Sequence, residues 1–158
     1  MPRITPFLWF DGKAEEAAHF YVSIFPNSRI VHVTPFPDNP RFEAGKVMIV
    51  ELELDGQRLV ALNGGPQFKF TEAMSLAIDC ETQDEIDHYW ARLTENGGKE
   101  VQCGWLKDKY GLSWQVTPRI IAELMGRGSA AQRARVMAAM LPMVKIDIAA
   151  LQKAHEGT

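Results

Sequence analysis

The chain has 158 residues, 46% of them hydrophobic, and its 17 basic and 20 acidic side chains leave a formal charge of -3. That is apolar material enough for one domain-sized core, with no basic stripe for a phosphate backbone, so nucleic acid is not an expected partner. No uncharged apolar run reaches the roughly 18 residues of a membrane span, and the N-terminal stretch lacks a signal-peptide core, which predicts a cytoplasmic protein with no membrane partner. Cys80 and Cys103 are the only cysteines, too few for a disulfide framework or a paired-cysteine metal site, and are expected to be free thiols.

In chain order, Ile4 to Phe10 is a β-rich apolar run. Asp11-Gly12 then leads into Ala14 to Tyr21, whose apolar positions recur at helical spacing. Pro26-Asn27-Ser28 stops that helix. Arg29 to Phe36, Lys46 to Leu54 and Gln57 to Asn63 follow as three strands, the last two joined by Asp55-Gly56, a hairpin dipeptide. The pattern then restarts, with Met74 to Cys80 as a strand, Gln83 to Glu95 as a helix and Asn96-Gly97-Gly98 as its stop. Two further strands are expected around Glu100 to Leu106 and Leu112 to Thr117. The two halves echo each other: Glu16-Ala17-Ala18-His19-Phe20-Tyr21 aligns with Glu85-Ile86-Asp87-His88-Tyr89-Trp90, and Asn27 falls opposite Asn96. The order predicts an α+β chain of two βαβββ modules, residues 1–66 and 72–118. A helical extension, 119–158, carries Ile120 to Met125, Ala130 to Met140 and Asp147 to His155, broken by Gly126, Gly128 and Pro142. Its methionines, Met137, Met140 and Met143, are expected to fill gaps in a core or dimer contact.

Several stretches carry a resemblance to a known family. They are Phe10-Asp11-Gly12 running into Ala14-Glu15-Glu16-Ala17 and Phe20-Tyr21, then Ala61-Leu62-Asn63-Gly64-Gly65-Pro66, Cys103-Gly104-Trp105-Leu106-Lys107-Asp108, Tyr110-Gly111-Leu112-Ser113-Trp114-Gln115, and Lys145-Ile146-Asp147-Ile148. The chain resembles the PhnB-like branch of the vicinal oxygen chelate (glyoxalase/bleomycin-resistance) superfamily, over nearly its whole length. The resemblance implies one domain of paired βαβββ modules forming a curled mixed sheet around a shared cleft, and commonly a homodimer. Members of this branch often carry the description 3-demethylubiquinone-9 3-methyltransferase. A methyltransferase using S-adenosylmethionine normally holds it on a Gly-rich turn after a first parallel strand, and none is present: Gly64-Gly65 precedes Pro66, and Gly126-x-Gly128 follows no strand.

In the superfamily's enzymes, metal ligands come from the first and last strands of each half. The matching positions in this chain are Thr5, one of residues 61–63, Ser75 and Gln115. Hydroxyls and amides stand where imidazoles and carboxylates would be, so neither a metal nor another cofactor is expected. Side chains two apart share a strand face, which groups Thr5 with Phe7 and Trp9, Asn63 with Ala61, Ser75 with Ala77, and Gln115 with Ser113 and Thr117. The candidate ligand-binding set is therefore Thr5, Phe7, Trp9, Asn63, Ser75, Trp105 and Gln115, lining a site for a small apolar or aromatic molecule. Thr5 and Ser75 are equally explained as residues of a solvated strand face, and Trp105 and Trp114 as core aromatics. His19 and His88 are read as structural, His32 as a residue with some access to the site, Asp108 as a turn-former and Cys103 as a buried inert thiol. The proline-rich loop from Pro35 to Phe42 is a cover, a stiff connector or a dimer contact. Three readings follow: a metal-free binding protein, an enzyme with a rebuilt metal site or Gln115 and Asn63 acting through water, and a structural dimer with a plugged pocket.

Overall fold

The computed structural model describes residues 3–158, which fall into two compact units, Met1–Lys69 and Phe70–Thr158. In the first, strand β1 (Phe7–Phe10) leads to helix α1 (Ala14–Ile24) and then to β2 (Arg29–Pro35), β3 (Val47–Leu54) and β4 (Gln57–Asn63). The sheet order is β1-β4-β3-β2, with β1 parallel to β4 and the other pairs antiparallel. The ladder begins later than the apolar run does, because Pro6 has no N–H to donate; only its carbonyl joins in, accepting from Val60 N at 3.0 Å. Asp55 and Gly56, at φ 47° and 83°, form the two-residue turn between β3 and β4, both positions lying in the left-handed region that this hairpin type requires.

The second unit repeats the first. Strand β5 (Ser75–Cys80), helix α2 (Gln83–Thr94) and strands β6 (Lys99–Glu100), β7 (Trp105–Lys107) and β8 (Ser113–Pro118) form a sheet of order β5-β8-β7-β6, with β5 parallel to β8. The aligned halves behave alike in detail. Ala17 and Ile86 are both buried, as are Tyr21 and Trp90, whereas His19 and His88 are both exposed. Asn27 and Asn96 both sit at positive φ, 51° and 55°. An asparagine tolerates that conformation best among residues with a Cβ, which is why both helices stop there. The stretch expected as one strand from Glu100 to Leu106 is two short strands, because Cys103 and Gly104 at φ 59° and 81° turn the chain between them.

Each helix covers one face of its own sheet. Ala14, Ala17, Ala18, Tyr21 and Ile24 of α1 are buried, at the spacing of one helical stripe, along with Leu8, Phe10, Val50, Leu52, Leu54, Leu59 and Ala61 on the strands. In the second unit Ile86, Trp90 and Leu93 of α2 are buried along with Cys80, Leu106, Trp114 and Val116 on the strands. Three helices complete this unit: α3 (Ile120–Gly126), α4 (Ala130–Met140) and α5 (Ile148–Glu156). They close a small core of Val136, Ile146 and Leu151, against which Met125, Met140 and Met143 pack. Ser129 and Gln132 form a reciprocal capping box that starts α4, and Asp147 caps α5 through Ala150 N. No helix among the described residues is long and apolar enough to cross a membrane.

Candidate functional site

The far face of the second sheet, opposite α2, is built by strict alternation. On β8, Trp114 and Val116 are buried on the helix side, so Ser113, Gln115 and Thr117 lie on the other. Ladder register then sets their neighbours: Ser75 lies beside Ser113 and Ala77 beside Gln115 on β5, while Trp105 faces Gln115 and Lys107 faces Ser113 on β7. Gln115 Nε2 donates to Ser75 Oγ at 2.9 Å. Three candidate residues, Ser75, Trp105 and Gln115, are thus brought together. Two neighbours lie outside the candidate set, Lys107 and Ser113, although parity already groups Ser113 with Gln115. Lys107, half-buried, pairs with Glu72, which holds the Glu72 carboxyl below the usual carboxylate range. Ser113 is 1% exposed, and its Oγ has no hydrogen-bond partner among the described residues. The signal that would have found Lys107 is its position two residues from Trp105.

In the first sheet, Phe7 lies beside Val60 and Trp9 beside Leu62, across the sheet from α1. Phe7 is exposed. Trp9 is held on three sides: its indole N–H donates to the Gly65 carbonyl at 2.9 Å, Phe68 meets it edge-on at 5.0 Å, and Gly64 passes so close that a Cβ there would come within 2.3 Å of the ring. Thr5, half-buried, precedes β1 and lies outside its ladder. His32 pairs with Glu51 on this same far face and is exposed.

Asn63 departs from the expected arrangement. It pairs with Phe10, on the helix side, and so lies across the sheet from Phe7 and Trp9. Its Oδ1 accepts from Ala14 N at 2.9 Å and its Nδ2 donates to the Val47 carbonyl at 2.9 Å. Lys13, at the N-cap of α1, makes no side-chain cap, so Asn63 supplies from 49 residues away what a local serine or aspartate would. The physical reason is parity: the pleat puts Asn63 on the face of Ala61, and Ala61 is buried under α1.

The other motifs that looked specific also do structural work. Asp108, 3% exposed, accepts from Tyr110 N and Leu112 N through Oδ1 and from Trp114 Nε1 through Oδ2, tying the turn before β8 to its core aromatic. Trp114 is therefore a core residue. Cys103 N and Gly104 N donate to the carbonyls of Met143 and Val144 at 2.6 and 2.9 Å, anchoring the helical extension. Cys103 is partly exposed, where a buried thiol was expected. The Lys145 to Ile148 motif is held to α2 by Gln83, which donates to the Ile146 carbonyl and accepts from Ile148 N, and by a Lys145–Asp87 pair at 2.7 Å.

A transition metal does not fit this donor set. The convergent groups are the Ser75 and Ser113 hydroxyls, the Gln115 amide and a Lys107 ammonium whose one carboxylate partner is Glu72, and no three His, Cys, Asp or Glu side chains gather among the described residues. S-adenosylmethionine does not fit either. The turn from β1 into α1 holds one glycine, Gly12, the turn from β5 into α2 holds none, and one N–H at the start of each helix is taken, Ala14 N by Asn63 and Glu85 N by Thr82.

Two four-stranded sheets of identical order, each with one parallel pair and one covering helix, define the glyoxalase/bleomycin-resistance fold of the vicinal oxygen chelate superfamily. Within it, residues 2–117 match the family model described as 3-demethylubiquinone-9 3-methyltransferase, and the chain belongs to that PhnB-like family. Among solved structures it is similar to a PhnB protein from Bacillus cereus that carries the same family description, at 39% identity over 74% of this chain and 99% of that one, TM-score 0.68. It is similar in fold to protein PA1353 from Pseudomonas aeruginosa, at 22% identity over 75% and 98% of the two chains, TM-score 0.63. It also shares the fold of the fosfomycin resistance protein FosX from Listeria monocytogenes, solved with Mn(II) and sulfate, at 15% identity over 80% and 96%, TM-score 0.56. No curated protein matches the chain. Helices α3 to α5 lie beyond the matched residues.

Proposed function

We propose that this protein binds a small apolar or aromatic molecule on the far faces of its sheets and does so without a transition metal. The observation that carries the reading is the hydrogen-bonded couple of Gln115 and Ser75 with Trp105 in register beside it. A neutral polar pair next to an indole suits an organic ligand with one oxygen or nitrogen to recognise, and suits a divalent ion poorly. Phe7 and Trp9 offer the first sheet's aromatic surface to the same class of ligand. Methyl transfer, the activity in the family description, finds no support in the two strand-to-helix turns, since both lack the cradle that its usual cofactor requires.

The test is native mass spectrometry of protein purified from its own host. A co-purified organic mass that leaves on denaturation is the expected result. Calorimetric titration with S-adenosylmethionine is expected to show no binding, and micromolar affinity would overturn the reading. The proposal includes a cytoplasmic homodimer; the exposed apolar side chains Ile4, Phe68 and Met74 support the dimer. Sedimentation of a single 17.7 kDa species at micromolar concentration would remove the dimer.

A further inference from the structure

Ser75, Ser113 and Lys107 stand in a row across β5, β8 and β7, each in direct register with the next and all on the face opposite α2. Neighbouring strands are about 4.8 Å apart, so the three side chains span little more than one carboxylate and its first hydrogen bonds. Two observations mark the row as made for a ligand. The Ser113 hydroxyl is buried with no partner among the described residues, an arrangement that costs stability unless something fills it. The Ser75 hydroxyl already accepts from Gln115, which leaves its own proton to donate. The third member, Lys107, already has a carboxylate on it, that of Glu72, from the loop preceding β5.

We propose that this row is an oxyanion subsite that takes the carboxylate of a small aromatic acid, with the ring beside Trp105. The proposal rests on the binding function above and names its ligand class. Lys107 is the only cation that the row contains, so it balances one negative charge. A phosphate dianion would call for a second cation, and the row holds none. Glu72 occupies the place on Lys107 that the ligand's carboxylate takes, and an ion pair whose acid is mostly exposed is readily exchanged for one that also satisfies Ser113. Trp105, across from Gln115 and two residues from Lys107 on the same face, gives an aryl group its contact.

Benzoate is the probe, with benzamide as its neutral counterpart and acetate as the acid without a ring. Calorimetry on the full-length protein is expected to show benzoate binding about tenfold or more tighter than either, as a charge-assisted hydrogen bond added to a ring contact implies. Lys107→Met should weaken benzoate by at least about tenfold and leave benzamide unchanged, and Ser113→Ala should weaken benzoate several-fold. Glu72→Gln should tighten benzoate, because it removes the competing carboxylate; a merely structural ion pair would give no such gain. Thermal melts of each variant confirm that it is folded. Equal binding of benzoate and benzamide overturns the oxyanion subsite and leaves aromatic binding standing. Absence of benzoate binding at millimolar concentration overturns the subsite as well. If a host-derived organic mass is then present, the binding function survives; if it is absent too, both fall.

Discussion

At the scale of single residues, Asn63 separates two roles that a ligand assay alone would confuse. Its side chain closes α1 and ties down β3, so Asn63→Ala is expected to lower stability by roughly 1–2 kcal/mol in urea unfolding, the usual cost of a lost N-cap. The same variant is expected to leave ligand affinity unchanged, and a large loss of affinity at full stability would return Asn63 to the binding set. Cys80 gives a pH prediction. Burial, and then the charges of Glu85 and Asp79, push its thiol from an ordinary 9.0 up to about 12. The unfolded chain therefore releases this proton at a lower pH than the folded one does. The contribution of Cys80 to stability is complete below pH 9.0 and lost as pH rises through about 12. Cys80→Ala should flatten that alkaline decline in a series of melts. Alkylation of the folded protein at pH 8 should mark Cys103, which is partly exposed, and spare Cys80.

Among the elements, the turn between β6 and β7 holds the most consequence for its size. Gly104 sits at φ 81°, and a Cβ there would come within 3.0 Å of the Val116 carbonyl and 3.1 Å of the Ile146 side chain. Gly104→Ala is therefore expected to cost at least about 1–2 kcal/mol from backbone handedness alone. It should also raise amide exchange through residues 143–148, since the neighbouring N–H groups are what hold that segment. In the helical extension, Leu151 is fully buried in a core that contains only two other fully buried residues. Leu151→Ala should destabilise by about 2–5 kcal/mol, and a value below 1 would mean that α3 to α5 collapse around the cavity. These anchors give the Cys-Gly-Trp and Lys-Ile-Asp-Ile stretches a packing role, since they hold the extension to the second sheet and to α2.

For the molecule as a whole, the donor chemistry yields a composition that can be measured. Protein grown with added manganese, zinc and nickel should contain far less than one metal per chain by elemental analysis, because no carboxylate or imidazole set converges among the described residues. A stoichiometric ion that survives gel filtration would overturn this and reopen the enzymatic reading. Two units of identical topology also make each half a control for the other. Each sheet has a helix-side face that is apolar and a far face that is mixed, and the helix-equivalent residues Tyr21 and Trp90 are both buried.

Period-two and period-3.6 patterns, together with turn chemistry at Asp55-Gly56, Asn27 and Asn96, were sufficient by themselves to determine the duplication and every element but the break between β6 and β7, because those signals act between residues close along the chain, while the family was legible in whole motifs. Only the tertiary structure decided which face of each strand looks where. Alternation groups residues by parity but carries no sign, so Asn63 was placed with the correct neighbour, Ala61, and on the unexpected side. Long-range partners were equally invisible: the cap that Asn63 gives Ala14, the row formed by Ser75, Ser113 and Lys107, and the grip of Gln83 on Ile146 join positions 38 to 63 residues apart in most cases. A hydrogen bond or register pair of that separation exists only once the chain has closed on itself, and the residue types alone do not say which partner closes it.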